Sequence, residues 1–292
     1  MKLKYIAPPD SEGGSAVPGC GTIHISEVKP TLTKLSDDLD FPFDLNEYVL
    51  GSTGKKEYSG DIDLVLDDKW WGHGVAALRG DLENIFGKHA VARNGSMVHL
   101  RYPIVGYNPE FKEHGPRTGY VQVDFNLGDT AWEKFYHYSP GDDSEYKGAH
   151  RNLAIAAICA VADVQSSREV DGYDRPVEQI RWKFGPNGFI HVRRESTKEE
   201  HTGVWKRKQN DTVLEDPVKD PARIARILFP VDGVPDDLHS LETIINAVER
   251  NYGMTDQQRI WKRMASNFTD WKDGKNFLYP TEISKYLSSS DK

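Results

Sequence analysis

Three aspartates lie in two segments that alternate apolar and polar residues. Asp61 and Asp63 stand two positions apart in SGDIDLVL, and Asp124 lies in YVQVDFNL. In an extended strand, residues i and i+2 point to the same face, about 7 Å apart at Cα, so a metal ion fits between their carboxylates. Magnesium prefers carboxylate oxygen. The pattern therefore predicts a two-metal centre that activates a hydroxyl for attack on a nucleotide α-phosphate.

A glycine–serine turn precedes the first two aspartates and follows the apolar run YVL. Glycine lets the backbone approach a phosphate, and the hydroxyl and N–H groups of such a turn bond phosphate oxygens. Gly51 and Ser52 are therefore predicted to bind nucleotide phosphates. Lys55 and Lys56 are predicted as weaker helpers near the departing pyrophosphate. A P-loop is excluded, because Val49 stands where its first glycine belongs and Lys55 precedes another lysine.

The pattern GS-x8-DID, which begins at Gly51, resembles the signature of the DNA polymerase β-like nucleotidyltransferase superfamily. Gly60 departs from the SDIDL form that is common there, and Asp124 is similar to the family's third carboxylate. The resemblance covers about residues 45–128 and indicates no subfamily. It implies a small mixed sheet with helices on one face and two Mg²⁺ ions, with Mn²⁺ as an alternative. It also implies a nucleoside triphosphate such as ATP, and transfer of a nucleoside monophosphate with release of pyrophosphate.

On this hypothesis each residue of the pattern has a role. Asp61 and Asp63 bind both metal ions. Asp124 completes the coordination of the metal ion next to the attacking hydroxyl and favours deprotonation of that hydroxyl. Gly51 and Ser52 bind the β and γ phosphates. The acceptor is a hydroxyl, and an RNA or tRNA 3′ end is favoured by a basic segment later in the chain.

Two other functions stay open. One is a nucleotide- or RNA-binding module that keeps the fold without turnover. Three carboxylates gathered without metal repel one another, which argues against it. The other is a two-metal nuclease, which would share the carboxylates but would not need the Gly-Ser turn.

The second half of the chain supplies further candidate binding residues. Lys147 and Arg151 open a predicted helix over Ser144–Val164 and are predicted to contact phosphate or ribose; the alternative is that they are surface residues. Residues 181–208 carry eight lysines and arginines against three glutamates, interleaved with aromatic residues. This composition predicts an RNA-binding sheet face or, alternatively, a solvated hairpin. The candidate RNA-binding residues are Arg181, Lys183, Arg193, Arg194, Lys206 and Arg207.

Hydrophobic periodicity predicts an α+β fold, with strands before residue 130 and mostly helices after it. The first part is predicted as a nucleotidyltransferase-type mixed sheet with flanking helices, and the second as a helical domain with a β-hairpin at GPNG. The predicted organisation is an N-terminal arm (1–30), a catalytic domain (31–129) and a C-terminal domain (130–292). The strands are predicted at Glu47–Leu50, Ile62–Leu66, Met97–Val105, Tyr120–Leu127, Gln179–Phe184, Phe189–Arg194 and Thr202–Lys208. A helix that contains Leu32, Leu35 and Leu39 is predicted to be capped by Thr31 or Thr33.

Composition narrows the class of protein. The chain has 292 residues, a net charge of −8 and a mean hydropathy of −0.62. Its longest apolar segment, Leu153–Val164, is too short to span a bilayer, and the N-terminus shows no secretory signal. Two distant cysteines indicate reduced thiols. These features predict a cytoplasmic protein without a membrane partner. Because the whole chain is acidic, any polyanion must be bound by metal or by a local basic patch.

Overall fold

The computed structural model describes residues 16–67, 72–111, 117–140, 146, 148–162, 164–170, 175–198, 207–270, 280 and 282–284. The chain divides into two compact units, residues 1–143 and 144–292. Its architecture is mixed α+β, which confirms the predicted fold class. Lys147 and Lys206 lie outside the described residues, as do the N-terminal 15 residues of the predicted arm.

The first unit contains a four-stranded mixed sheet and a small two-stranded one. β1 (Ile23–His24) pairs with β2 (Tyr58–Ser59). The larger sheet has the order β3-β6-β5-β4, in which β3 and β6 are parallel and the other pairs are antiparallel. Its strands are β3 (Ile62–Asp67), β4 (Val91–Asn94), β5 (Met97–Pro103) and β6 (Tyr120–Gly128). Two strands that are distant in sequence thus become neighbours through a parallel crossover.

Helices of the first unit are α1 (Ile25–Asp38), α2 (Gly74–Phe86) and α3 (Thr130–Tyr136). The predicted domain boundary at residue 130 would have separated α3 from this unit, which extends to residue 143. Short 3-10 helices span Leu45–Tyr48 and Lys88–Ala90.

Two local predictions in this unit were wrong. α1 begins before Thr31 and Thr33, because the His24 side chain accepts from the N–H of Ser26 and the Glu27 side chain accepts from the N–H of His24. The first two of the four residues in the predicted strand Glu47–Leu50 belong to the 3-10 helix, because the Asp44 side chain accepts from the N–H of Asn46 and starts a turn there. Only Val49 keeps an extended pairing, as a bridge to Leu64.

The core of the first unit fixes which face each strand presents. Ile62, Leu64 and Leu66 of β3 are fully buried, as predicted, and Val123 and Phe125 of β6 lie in the same core. Because side chains alternate along a strand, the positions between them point to the opposite face. A slip of one residue would expose this whole apolar set, so the core determines the orientation of the intervening polar residues.

The second unit is built on an antiparallel sheet of order β10-β9-β8-β7. Its strands are β7 (Gln165–Ser166), β8 (Glu178–Gly185), β9 (Gly188–Lys198) and β10 (Arg207–Val213). The predicted hairpin at GPNG is the β8–β9 connection. A third strand was predicted at Thr202–Lys208; residues 202–206 lie outside the described residues, and β10 contains the last two positions, Arg207 and Lys208. This unit therefore contains more sheet than a single hairpin.

Four helices of the second unit are α4 (Gly148–Cys159), α5 (Pro221–Leu228), α6 (Leu241–Asn251) and α7 (Met254–Asp270). α4 is shorter than the predicted helix, and its Ala154, Ile155 and Ile158 are fully buried. Within the described ranges, no helix is long and apolar enough to cross a bilayer.

Both cysteines are expected to be unreactive in the folded protein. Cys20 and Cys159 are buried free thiols, and burial raises the pKa of Cys20 to about 11 and that of Cys159 to about 12. Since the thiolate is the reactive species, a disulfide reagent at pH 8 should label the native protein far more slowly than the unfolded protein. Denaturation in guanidinium should release two titratable thiols. Rapid labelling of either cysteine in the native state would contradict this prediction.

Candidate active site

The register of β3 and β6 brings two of the predicted carboxylates together. Asp63 is directly paired with Asp124 across the parallel ladder. Both residues alternate with buried apolar neighbours, so both side chains lie on the sheet face away from the main core. Asp61 precedes β3 by one residue and, at i−2, follows the same alternation. The three aspartates selected from the sequence therefore belong to one region of one sheet.

The Asp63 carboxyl lies in a strongly unfavourable environment for negative charge. Desolvation, and then the charges of Asp61 and Asp124, raise its pKa well above the ordinary range of an aspartate. Burial and like charges both favour the protonated form. A bound cation would reverse this preference.

The turn that holds the Gly-Ser pair lies directly against Asp63. The N–H of Leu50 donates to the Asp63 carbonyl at 2.8 Å. Gly51 has φ +64°, and a Cβ at this position would lie 3.1 Å from Oδ2 of Asp63. Glycine is thus required twice, for its backbone conformation and for the close approach of the carboxylate. Ser52 is exposed, as a phosphate-binding hydroxyl must be.

Gly51→Ala is expected to disturb both stability and activity. The left-handed backbone costs an alanine about 1–2 kcal/mol, and the added methyl group would push on the Asp63 carboxylate. Gly95→Ala is a matched control, because Gly95 has φ +59° but a Cβ added there would meet no heavy atom within 4 Å. Thermal denaturation should show a loss of stability for both variants, and the nucleotidyl transfer predicted from the sequence should fall only for Gly51→Ala. Equal activity of the two variants would contradict the proximity argument.

Thr53 links the turn to β3. It is not among the site residues predicted from the sequence. Its buried hydroxyl accepts from the N–H of Asp63 at 3.2 Å and donates to the carbonyl of Asp61 at 3.4 Å. One side chain therefore fixes the backbone of two candidate ligands. Nothing in the local pattern GSTGKK distinguishes this threonine from an ordinary turn residue.

Lys55 is held at a defined position near the turn. Its Nζ donates to the carbonyl of Ser139 at 2.8 Å and lies 4.7 Å from the centre of the Tyr138 ring. Desolvation lowers its pKa. Lys55, which was predicted to assist phosphate binding, thus contacts the segment after α3. Lys56, the other predicted helper, is half-buried.

Asp124 is positioned by two side chains that the sequence pattern did not indicate. Its Oδ1 accepts from Nε2 of Gln122 at 2.8 Å and lies 2.8 Å from Nδ1 of His99. The Gln122 Oε1 in turn accepts from the N–H groups of Ala16 and Val17, both at 3.1 Å. Because Gln122 lies two residues before Asp124, strand alternation alone could have identified it. His99 comes from another strand, and only the β5–β6 pairing reveals it.

The remaining predicted nucleotide-binding residues lie in the second unit. Arg151 is almost fully buried, where its Nε donates to the carbonyl of Leu238 at 2.5 Å and its Nη1 donates to Oδ1 of Asn152 at 2.8 Å. Both of these contacts are inside that unit. Lys147 falls outside the described residues.

The candidate RNA-binding residues divide between the two faces of the β8–β10 sheet. Pairing and alternation place Arg181, Lys183 and Arg194 on one face, and Arg193 on the other. Lys183 and Arg194 both pair with Asp211. The backbone of Arg207 belongs to β10, and Lys206 lies outside the described part of the chain.

The aromatic residues of this sheet lie on the face of Arg193. The Trp182 ring stacks with those of Phe189 and His191, at 4.5 Å between centroids in each case. Most of the basic residues and the stacked rings therefore occupy opposite faces, so they do not form a single basic and aromatic surface.

No protein-family model matches the chain, and no curated protein matches it. Among the described residues, no group of three or more histidine, cysteine, aspartate or glutamate side chains is already gathered around one point as a metal site. The case for a metal therefore depends on the chemistry of the three aspartates and on the electrostatics at Asp63.

Proposed function

We propose that the first unit is a metal-dependent nucleotidyltransferase, which transfers a nucleoside monophosphate from a nucleoside triphosphate to a hydroxyl and releases pyrophosphate. The observation that supports it best is the direct pairing of Asp63 with Asp124, with the backbone of Gly51 packed against the Asp63 carboxylate. This arrangement puts a phosphate-binding turn beside paired carboxylates. A nuclease would need the carboxylates but not the turn.

The donor set suits magnesium. Carboxylate oxygens are the ligands that Mg²⁺ prefers. The pKa of Asp63 is raised by desolvation and then by the charges of Asp61 and Asp124, and a divalent cation would favour the ionised carboxylate. Asp61 and Asp63 would hold two ions, with Asp124 as a ligand of the one nearer the acceptor. When bound, the metal would neutralise charge on the triphosphate and favour deprotonation of the attacking hydroxyl.

The protein's own groups would position the reactants. Gln122 and His99 fix Oδ1 of Asp124 and so restrict its rotation. The backbone of Gly51 and the exposed Ser52 would bind phosphate oxygens, and Thr53 holds this turn against β3. Rigid positioning of this kind is the main contribution a protein makes to phosphoryl transfer.

The test is transfer of label from each α-³²P nucleoside triphosphate with Mg²⁺. Total RNA, tRNA, protein and nucleotides are offered as acceptors, because an RNA or tRNA 3′ end is the predicted acceptor. We expect label in one of these pools, and a loss of about 10³-fold or more in Asp61→Asn. Asp81→Asn, an exposed carboxylate of α2, is the control and should retain activity.

Each alternative function has its own result in this assay. Magnesium-dependent nucleotide binding without any product would favour a silent binding module. Degradation of RNA without added triphosphate would favour a nuclease. Absence of label in every pool, with Asp61→Asn indistinguishable from the parent, would overturn the proposal.

A further inference from the structure

A cavity of about 700 Å³ has all its described lining residues in the second unit, and half of them are basic. Six of its described lining residues are basic, and none of its described lining residues is acidic. The basic residues are Arg175, Arg181, Arg194, Arg259, Lys262 and Arg263. In a protein of net charge −8, this concentration of positive charge is a local property of one site.

The cations come from two surfaces that line the same cavity. Arg181 and Arg194 lie on one face of the sheet, together with Gln179, which is paired directly with Arg194. Arg259 and Arg263 lie four residues apart on α7 and so share one helix face. Sheet and helix therefore direct positive charge into one space.

Some of these cations have anionic partners, and one of them has a donor without an acceptor among the described groups. Arg194 pairs with Asp211 at 2.7 Å, and Arg259 pairs with Asp256 at 3.0 Å at the surface. The Nε of Arg181, in contrast, is buried and finds no hydrogen-bond acceptor among the described groups. Desolvation and the charges of Arg194 and Arg263 lower the pKa of Arg181. A buried, unsatisfied donor among like charges is costly unless a ligand accepts from it.

The size and chemistry of the cavity indicate the class of ligand. A volume of 700 Å³ falls in the range of small-molecule sites, about 300–1,000 Å³. Guanidinium groups are suited to bidentate bonds with phosphate. Single-stranded RNA is typically bound along an extended groove with stacking rings, whereas here the cations converge and the rings of Trp182 and Phe189 lie on the other sheet face.

We propose that this cavity binds a compact small molecule that carries two or more phosphate groups. The guanidinium groups of Arg181 and Arg194 would bind it from the sheet, and those of Arg259 and Arg263 from α7. Every described residue that lines the cavity belongs to the second unit, whereas the three aspartates belong to the first, so this proposal and the proposed nucleotidyl transfer depend on different residues.

The experiment is isothermal titration of the full-length protein with inorganic tripolyphosphate. EDTA is present, so that metal-dependent binding at the aspartates of the first unit does not contribute. We expect one binding site. Arg263→Gln should weaken the affinity about tenfold, because a charge-assisted hydrogen bond is lost. Arg181→Gln should weaken binding as well. Arg263 is exposed, so its variant keeps the test valid if Arg181→Gln fails to fold.

Arg193→Gln is the matched control. Arg193 is the neighbour of Arg194 on the same strand, but it points to the opposite face and pairs with Glu178. The affinity of the Arg193→Gln protein for tripolyphosphate should equal that of the parent protein. Failure to bind tripolyphosphate at millimolar concentration, or equal affinity in Arg263→Gln and the parent, would overturn the proposal.

Two further ligands test the proposed ligand class. Orthophosphate should bind much more weakly than tripolyphosphate, and equal affinity would exclude a requirement for two phosphates. A single-stranded RNA that binds tightly and is not displaced by tripolyphosphate would show a nucleic-acid surface in place of a small-molecule site. Loss of nucleotidyl transfer would affect none of these measurements, so the two proposals can fail separately.

Discussion

Asp63→Asn is expected to make the protein more stable and to abolish the proposed nucleotidyl transfer. Asparagine has nearly the same shape as aspartate but no charge, so it removes the repulsion from Asp61 and Asp124 and the cost of desolvation. A carboxyl whose folded pKa is raised destabilises the fold when it must ionise, so Asp63→Asn is expected to be the more stable protein at pH 7 without metal. The proposed activity should fall by about 10³-fold or more, because the substitution removes a proposed metal ligand.

Mg²⁺ should reverse the order of stability of the parent protein and Asp63→Asn. A cation that binds the folded state stabilises it in proportion to its affinity. Mg²⁺ is therefore expected to raise the melting temperature of the parent protein and to have little effect on Asp63→Asn. Calorimetry with EDTA and with Mg²⁺ measures both effects.

Asp67→Asn is the control for Asp63→Asn. Asp67 lies on the same strand, and its carboxylate accepts from the Thr130 hydroxyl at 3.1 Å. This variant should lose a little stability. Mg²⁺ should stabilise it as much as it stabilises the parent protein. A destabilised and fully active Asp63→Asn protein would contradict both the electrostatic argument and the proposed role.

Glu27→Gln is expected to have the largest effect on stability. Glu27 and Arg117 form a buried ion pair, with Nη2 of Arg117 at 2.6 and 2.8 Å from the two carboxylate oxygens. The Glu27 carboxylate also accepts from the N–H groups of His24 and Asn108, at 3.0 and 2.9 Å. The Arg117 guanidinium lies 4.9 Å from the centre of the Tyr107 ring. One carboxylate thus ties the start of α1 to the segment before β6.

Loss of one partner leaves the other charge buried. Breaking a buried pair in this way costs about 3–5 kcal/mol, so Glu27→Gln should lower the free energy of unfolding by about that amount. The double variant Glu27→Gln/Arg117→Met should cost less than the sum of the single variants, because it removes the uncompensated charge. Chemical denaturation of the four proteins completes the cycle. Additive single effects would contradict a direct interaction.

A surface pair provides the comparison. Arg79 and Glu83 pair across one turn of α2, where solvent screens them. Arg79→Met should cost no more than about 0.5 kcal/mol. A similar loss for the surface and the buried pair would show that burial is not the source of the effect.

The pH dependence of this pair has a defined sign. Desolvation alone would raise the pKa of Glu27, but the Arg117 guanidinium and the N–H groups of Asn108 and His24 outweigh it and lower the pKa. A carboxyl whose folded pKa lies below its unfolded value stabilises the fold above the unfolded pKa. The parent should therefore lose this stability as the pH falls below about 4, through the folded pKa, and Glu27→Gln should lack that part of the decrease.

Strand alternation explains why much of the candidate site could be predicted from the sequence. The alternation around Asp61 and Asp63 predicted that Ile62 would point into the core, and it does. The turn ahead of them was recognised from glycine and serine alone, and the GPNG hairpin from its turn residues. These are short-range features, since a side chain's face and a turn's conformation depend on a few neighbouring residues.

Helix and strand ends were less predictable, because single side-chain hydrogen bonds decide them. Histidine is not among the preferred helix caps, yet His24 starts α1 with the help of Glu27. Asp44 similarly converts a segment with strand-like residues into a 3-10 helix. In both cases a local polar contact outweighs hydrophobic periodicity.

The sequence by itself determined that Asp61 and Asp63 share a strand face behind a Gly-Ser turn, and that an α+β fold surrounds them. Only the tertiary structure decided that Asp124 pairs with Asp63, that Gln122 and His99 hold it, and that the basic residues after position 180 divide between two sheet faces. The reason is physical: alternation is a property of one strand, whereas register across a crossover depends on how the whole apolar core packs.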